Sequence, residues 1–204
     1  YRAALESSLA TYGLEHRQTG TIANNLANCL RKAGRHDEAA PLFDDALRAY
    51  RAALGDDHVW VAVILGNVAT NHLYGGDAAA AREVADECVR LRSKYWDADH
   101  WRVATARVIR GAADSMLGRL DAGEREMARA LAVIDSTLGP DSSAAAMAIE
   151  QLRSHYARAA RDAPAAIAAR CCSGQSTGSL PSSRRYNQAR AKRQRRSAVR
   201  SVTP

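Results

Sequence analysis

One phenylalanine in 204 residues, and aromatics at 5% overall, leave alanine to carry most of the 47% apolar content. A chain this poor in large rings suits closely packed helices, and alanine is the strongest helix former. No run of 18 apolar residues is present, so the sequence offers no membrane span. Cysteine is scarce and badly spaced for metal or disulfide work. Cys29 and Cys88 stand far apart, and Cys171 and Cys172 are adjacent, a pattern that predicts reduced thiols, a cytoplasmic setting and no bound metal or cofactor. Catalytic signatures are lacking too: there is no P-loop, no glycine-rich nucleotide turn, no kinase catalytic loop and no Asp-Phe-Gly. The chain is therefore not expected to be an enzyme.

Acidic residues stop at Asp162. Beyond it stand nine cations: Arg170, Arg184, Arg185, Arg190, Lys192, Arg193, Arg195, Arg196 and Arg200. With those nine set aside, 20 basic residues face 22 acidic ones, so the net charge of +7 belongs to the end of the chain and not to its body. Residues 173–204, rich in Ser, Arg and Gln and poor in large apolar groups, read as a disordered basic tail. Such a tail could touch nucleic acid or another polyanion weakly through counterion release, with no aromatic platform except Tyr186.

What the chain does have is a period. Gly34, Gly76 and Gly118 are spaced by 42, and so are Leu54, Trp96 and Leu138, each just before a turn. Those turns read Leu54-Gly55-Asp56-Asp57-His58, Trp96-Asp97-Ala98-Asp99-His100 and Leu138-Gly139-Pro140-Asp141-Ser142. One period earlier stands Tyr12-Gly13-Leu14-Glu15-His16, which makes residues 1–16 the second helix of a truncated preceding repeat. Periods of this length mark stacked solenoids. Within a repeat, Ile22, Leu26 and Leu30 form one apolar helical stripe, Gly34 ends that helix, and Ala39, Leu42, Phe43, Ala46, Leu47, Tyr50 and Leu54 form a second stripe. The unit is a helical hairpin. Three full repeats are expected near 17–58, 59–100 and 101–142, with a partial fourth at 143–172 opened by Ile149, Leu152 and Tyr156. The third repeat is irregular: Arg110 and Asp114 occupy columns held elsewhere by Leu26 or Val68 and by Leu30 or His72. They are four apart on one face and are expected to pair, with His72 able to reach Asp114 across the hairpins.

The columns Leu26-Ala27, Leu30, Gly34, Ala39, Phe43 and Ala46 resemble the tetratricopeptide signature. The 42-residue spacing, Asn24-Asn25-Leu26-Ala27 and the Leu-Gly-Asp-Asp-His turn resemble its kinesin-light-chain type, over about residues 1–170. Within that type, Asp99-His100-Trp101-Arg102-Val103-Ala104 and the closing Leu152 to Tyr156 segment are similar to the C-terminal repeats of bacterial serine/threonine protein kinases. HEAT-like repeats share the period, but the glycine and small-residue columns favour the tetratricopeptide reading. The resemblance implies an all-α, right-handed superhelical solenoid of antiparallel hairpins whose first helices line a concave groove.

Asn24, Asn25, Asn28, Arg31, Lys32 and Asn67 are the candidate groove residues. The resemblance places Asn25 and Asn67 in the ligand-facing column, where an amide offers one acceptor and two donors to an extended peptide. The third repeat has Ile109 there, and the plain alternative for the whole set is a solvated polar face. Leu26, Gly34, Ala39, Gly76 and Gly118 are expected to be structural. Asp57-His58 and Asp99-His100 precede helices, so the aspartates are expected to cap them rather than bind metal. Trp60, Trp96 and Trp101 are expected to pack between hairpins. The functional expectation is a noncatalytic scaffold binding a protein or peptide of unknown identity. Its rival is a regulatory extension of a larger bacterial kinase, and polyanion binding by the tail is a third reading.

Overall fold

The computed structural model describes residues 1–173, all helix and turn. Eight helices follow one another among them: α1 (Arg2–Tyr12), α2 (Arg17–Lys32), α3 (His36–Leu54), α4 (Val59–Gly75), α5 (Ala78–Arg92), α6 (Trp101–Met116), α7 (Leu120–Leu138) and α8 (Ser143–Ser173). Residues 1–155 form one compact unit, and a second begins at Tyr156. In the first unit α2 pairs with α3, α4 with α5 and α6 with α7, and each pair stacks on the next. The result is a tetratricopeptide-like solenoid of antiparallel hairpins. The first helices also touch directly, α2 on α4 and α4 on α6, whereas α3, α5 and α7 do not approach one another comparably. The first helices therefore form the inner side of the curve.

Two glycine columns set the hairpin geometry. Gly76 ends α4 at φ 89°, ψ −1°, the left-handed conformation that closes a helix, and Asp77 N then donates to His72 O at 3.0 Å. Gly34 and Gly118 repeat the positive φ at 75° and 81°. Gly55, after α3, has φ 83° and ψ 161°, a region essentially closed to side-chain-bearing residues. The matching position after α5 is Asp97, which has no positive φ, and α5 stops at Arg92, four residues short of the Trp96 column. Pro41 is the sixth residue of α3, past the first turn, so its missing amide proton leaves the helix one hydrogen bond short.

The core is built from small residues at close range. Ala23, Ala27, Ala39, Phe43, Ala46, Ile64, Leu65, Cys88 and Leu91 cluster in the first two hairpins. Ala104, Val108, Ala130, Ile134, Ala145 and Ala148 cluster in the third hairpin and the start of α8. Leu26, expected at the centre of its stripe, is only partly buried; Ala23 and Ala27 are the fully buried apolar residues of α2. Close approach is most severe between α6 and α7, where a Cβ on Gly123 would lie 2.5 Å from the carbonyl oxygen of Gly111.

α8 departs from the hairpin rule. The glycine column of residues 34, 76 and 118 reaches Ala160 in the next period, so no left-handed terminator is supplied. The helix runs unbroken to Ser173, and a separate second helix of the fourth repeat is not found among the described residues. The basic tail and its polyanion reading lie outside the described residues, apart from Ser173.

Candidate functional site

Three of the candidate asparagines are tied to one another. Asn67 Nδ2 on α4 donates to Asn24 Oδ1 on α2 at 2.9 Å. Asn28 Nδ2 donates to the Asn24 carbonyl at 3.0 Å, and Arg31 Nη2 donates to Asn28 Oδ1 at 3.1 Å. A polar strip thus runs along the inner side of the first two repeats. Asn25 is partly buried, Lys32 is exposed, and neither side chain has a hydrogen bond among the described residues.

Arg31 is the strained member of this set. Its Nε is buried with no hydrogen-bond partner, and no carboxylate pairs with it among the described residues. Burial holds its pKa below the ordinary guanidinium value, partly opposed by the nearby Tyr74 hydroxyl. A half-buried cation without a counter-charge is costly, and an incoming anion relieves that cost.

Tyr74, near the end of α4, completes the face. Gln151 Nε2 on α8 donates to its hydroxyl at 3.3 Å, and that hydroxyl donates to Glu150 Oε2 at 3.5 Å. Burial and the Glu150 carboxylate raise its pKa, so it remains a neutral phenol. His36 stacks on the ring at 6.4 Å, and Asn71 Nδ2 holds the His36 carbonyl at 3.1 Å. Gln151 is the period-42 successor of Asn25, Asn67 and Ile109, a membership that simple arithmetic on the sequence makes visible.

The third repeat is not a simple pair of charges. Arg110 does not bond Asp114. It reaches Asp86 on α5 at 2.8 Å and Glu126 on α7, while Asp114 accepts from Arg82 and Arg119. With Arg82 also bonded to Asp86, the groups form one ionic chain: Glu126, Arg110, Asp86, Arg82, Asp114, Arg119. Arg110 and Asp114 diverge because neighbouring second helices offer each a closer partner. His72 likewise turns to Asp77 at 3.8 Å, not to Asp114.

At the outer edge the caps are histidines, not the expected aspartates. His16, His58 and His100 accept through Nδ1 from the backbone N–H two residues on, at 3.2, 3.1 and 3.1 Å, and Ser142 Oγ takes the role before α8 at 3.2 Å. Asp57 instead pairs with Lys94 at 2.6 Å. Trp96 and Trp101 stack on His100 with the Arg102 guanidinium over both rings, at 5.1 and 4.4 Å from their centroids. Trp60 is 50% exposed and does not pack between hairpins, because the second residue of α4 faces solvent.

One constellation looks catalytic and is not placed for it. Ser115 Oγ and His155 Nδ1 are 2.9 Å apart, and His155 Nε2 is 3.9 Å from Glu124. Ser115 and His155 are each 2% exposed, so no substrate reaches the hydroxyl. No group of three His, Cys, Asp or Glu able to hold a metal occurs among the described residues. No helix among them is long and apolar enough to cross a membrane.

Fold and inner face together define a tetratricopeptide-type repeat solenoid. The sequence model of the tetratricopeptide repeat family matches residues 1–52 and 18–94, so this part of the chain carries tetratricopeptide repeats. Among solved structures, BtubC (BKLC) from P. vanneervenii is similar at TM-score 0.61 and 20% identity, covering 68% of this chain. The chain spans 56% of that structure's length. A protein from Podosopora anserina, described as a kinesin light chain with nearly identical TPR-like repeats, is similar in a point-variant form at TM-score 0.61 and 16% identity. That match covers 80% of this chain and 77% of the other, and a further structure of the protein gives TM-score 0.59 with the same coverage. At these identities the likeness concerns the fold. No curated protein sequence matches the chain.

Proposed function

We propose that this chain is a noncatalytic protein-interaction scaffold whose inner face over α2 and α4 binds an extended, partly acidic segment of a partner protein. The observation that carries this reading is Arg31: a half-buried guanidinium with its Nε unpaired, set in a strip of amides that suits a peptide backbone. Tetratricopeptide repeats generally serve protein association, and the matched residues 1–94 contain the whole strip.

A display library of random peptides, selected on the full chain, tests the proposal. Selected peptides should be enriched in Asp and Glu. Arg31→Met should weaken the selected peptides about tenfold, the equivalent of one hydrogen bond to a charged group, while folding stability changes little, because the lost Asn28 hydrogen bond is offset by removing a half-buried cation that has no counter-charge. Binders without acidic enrichment, or with affinity indifferent to Arg31→Met, would exclude this face.

A second reading places the repeats as the regulatory region of a larger bacterial serine/threonine kinase. It rests on the run Asp99-His100-Trp101-Arg102-Val103-Ala104 and on the Leu152 to Tyr156 segment. Sequencing the coding region upstream of Tyr1 tests it, since a kinase domain carries its own motifs.

A further inference from the structure

The inner face is open over the first two repeats and shut over the third. Along the ligand-facing column, Asn25 and Asn67 are partly exposed, whereas Ile109 is 4% and Gln151 7% exposed. The neighbouring column closes at the same repeat and reopens after it: Asn28, Thr70 and Ser154 are partly exposed, and Ala112 is fully buried. No residue of α6 reaches the exposed class. Something covers the third repeat from the inside, and one contact has the reach to do so. Tyr74 leaves α4 in the second repeat and meets Gln151 and Glu150 on α8 in the fourth.

We infer that Tyr74 is a built-in occupant of the groove, a strap that shuts the inner face over the third repeat. Its hydroxyl is held at both sides, by the amide of Gln151 and the carboxylate of Glu150. Its ring is steadied from behind by His36, which is tied to Asn71 by two hydrogen bonds at 3.1 and 3.2 Å. Yet Tyr74 itself is 39% exposed, and both hydroxyl contacts lie at the long end of the hydrogen-bond range. Such a contact is weak enough to break and form without unfolding a helix. Its position beside Arg31 links it to the open strip, because a segment seated on Arg31 approaches the same hydroxyl.

Two states follow. With the strap in place, the strip of Asn25, Asn28, Arg31 and Asn67 is what the first two repeats offer to a partner. With Tyr74 swung off α8, the column continues through Ile109 to Gln151, and the face changes from polar to mixed. The importance of the strap for function rests on the peptide-binding reading above. Its existence does not, and the test below uses no peptide.

The experiment is methyl NMR on the full chain with labelled isoleucine δ1 groups and a soluble paramagnetic agent that attenuates exposed methyls. In the wild type the Ile109 methyl should be protected nearly as well as those of Ile64 and Ile134, which are 1% and 0% exposed. In Tyr74→Ala its attenuation should rise severalfold, toward that of the partly buried Ile22, while Ile64 and Ile134 stay protected and so report an intact fold. Tyr74→Phe keeps the ring without the hydroxyl and should fall between the two. An Ile109 methyl that stays protected in Tyr74→Ala overturns the inference. Tyr74→Phe matching the wild type removes the role given to Gln151 and Glu150.

Discussion

Arg82 and Asp114, 32 residues apart, are joined across α5 and α6: Arg82 Nε donates to Asp114 Oδ1 at 2.8 Å. Arg119 donates to the same oxygen through Nη2 at 2.7 Å, and the Asp114 side chain is 9% exposed. One carboxylate thus pins the second and third hairpins to each other. Asp114→Ala should cost about 1–3 kcal/mol, the range for removing a buried acceptor from charged donors, at the lower end because both arginines retain solvent contact. Asp114→Asn, which keeps one acceptor, should cost less. Urea unfolding of the three proteins checks the order, and equal stabilities would mean the ionic chain holds nothing together.

The histidine caps give a second prediction. His58 Nδ1 accepts from Trp60 N at 3.1 Å, which requires the neutral ring with its proton on Nε2. His58→Ala should lower stability by about 0.5–2 kcal/mol, whereas His58→Asp should keep or raise it, because aspartate is among the strongest caps and suits a helix N-terminus. Thermal melts should place the alanine variant lowest of the three.

These caps also show what the sequence can and cannot convey. The period is legible because glycine is irreplaceable at φ near 80°, so Gly34, Gly76 and Gly118 keep their column while their neighbours vary. The cap column of His16, His58 and His100 is equally regular, but histidine is not a usual cap residue, so reasoning from sequence favours the adjacent aspartates. The ionic chain is illegible because pairing depends on which second helix lies nearest. That is a packing outcome, and Arg110 and Asp114 satisfy a local i,i+4 rule that tertiary contacts override. Among the groove residues, Asn24 and Asn67 sit 43 positions apart, one off the period, and only the crossing of α2 and α4 brings the two together.

Gly123 is a test of helix spacing. A Cβ there would meet the Gly111 carbonyl at 2.5 Å and Ser115 N at 3.0 Å, both backbone atoms that cannot turn aside. Gly123→Ala raises intrinsic helix propensity by roughly 1 kcal/mol, yet it should destabilise the protein by a net ~1–3 kcal/mol, because α6 and α7 must separate. A variant as stable as wild type would show that the two helices are free to shift.

Cys88 predicts an alkaline weakness. Its thiol is fully buried, and burial raises its pKa, with Arg92 opposing. At neutral pH the thiol is protonated in both folded and unfolded chains and contributes no pH dependence. Above about pH 9 the unfolded chain releases this proton more readily than the folded one, so stability falls as pH rises. Cys88→Ala should be less stable at neutral pH but should show a shallower decline between about pH 8 and 10. In the native wild type, exposed Cys29 should react with a thiol reagent much faster than Cys88. Matching alkaline slopes would remove Cys88 from the account.

The last prediction separates structure from binding on the inner face. Asn67 and Asn24 hold each other at 2.9 Å, so Asn67→Ala strands a partly buried amide and should cost about 0.5–1.5 kcal/mol without any ligand. Asn25 stands in the same column as Asn67, yet its side chain has no hydrogen bond among the described residues. Asn25→Ala should therefore change stability by no more than about 0.5 kcal/mol. An effect of Asn67→Ala on partner binding would be ambiguous, since loosening α2 against α4 also moves Arg31. An effect of Asn25→Ala would not, because nothing in the free protein depends on that amide. If calorimetry with a selected peptide finds Asn25→Ala binding like the wild type while Arg31→Met does not, the ligand engages the face through charge, and the asparagine column is not its backbone clamp.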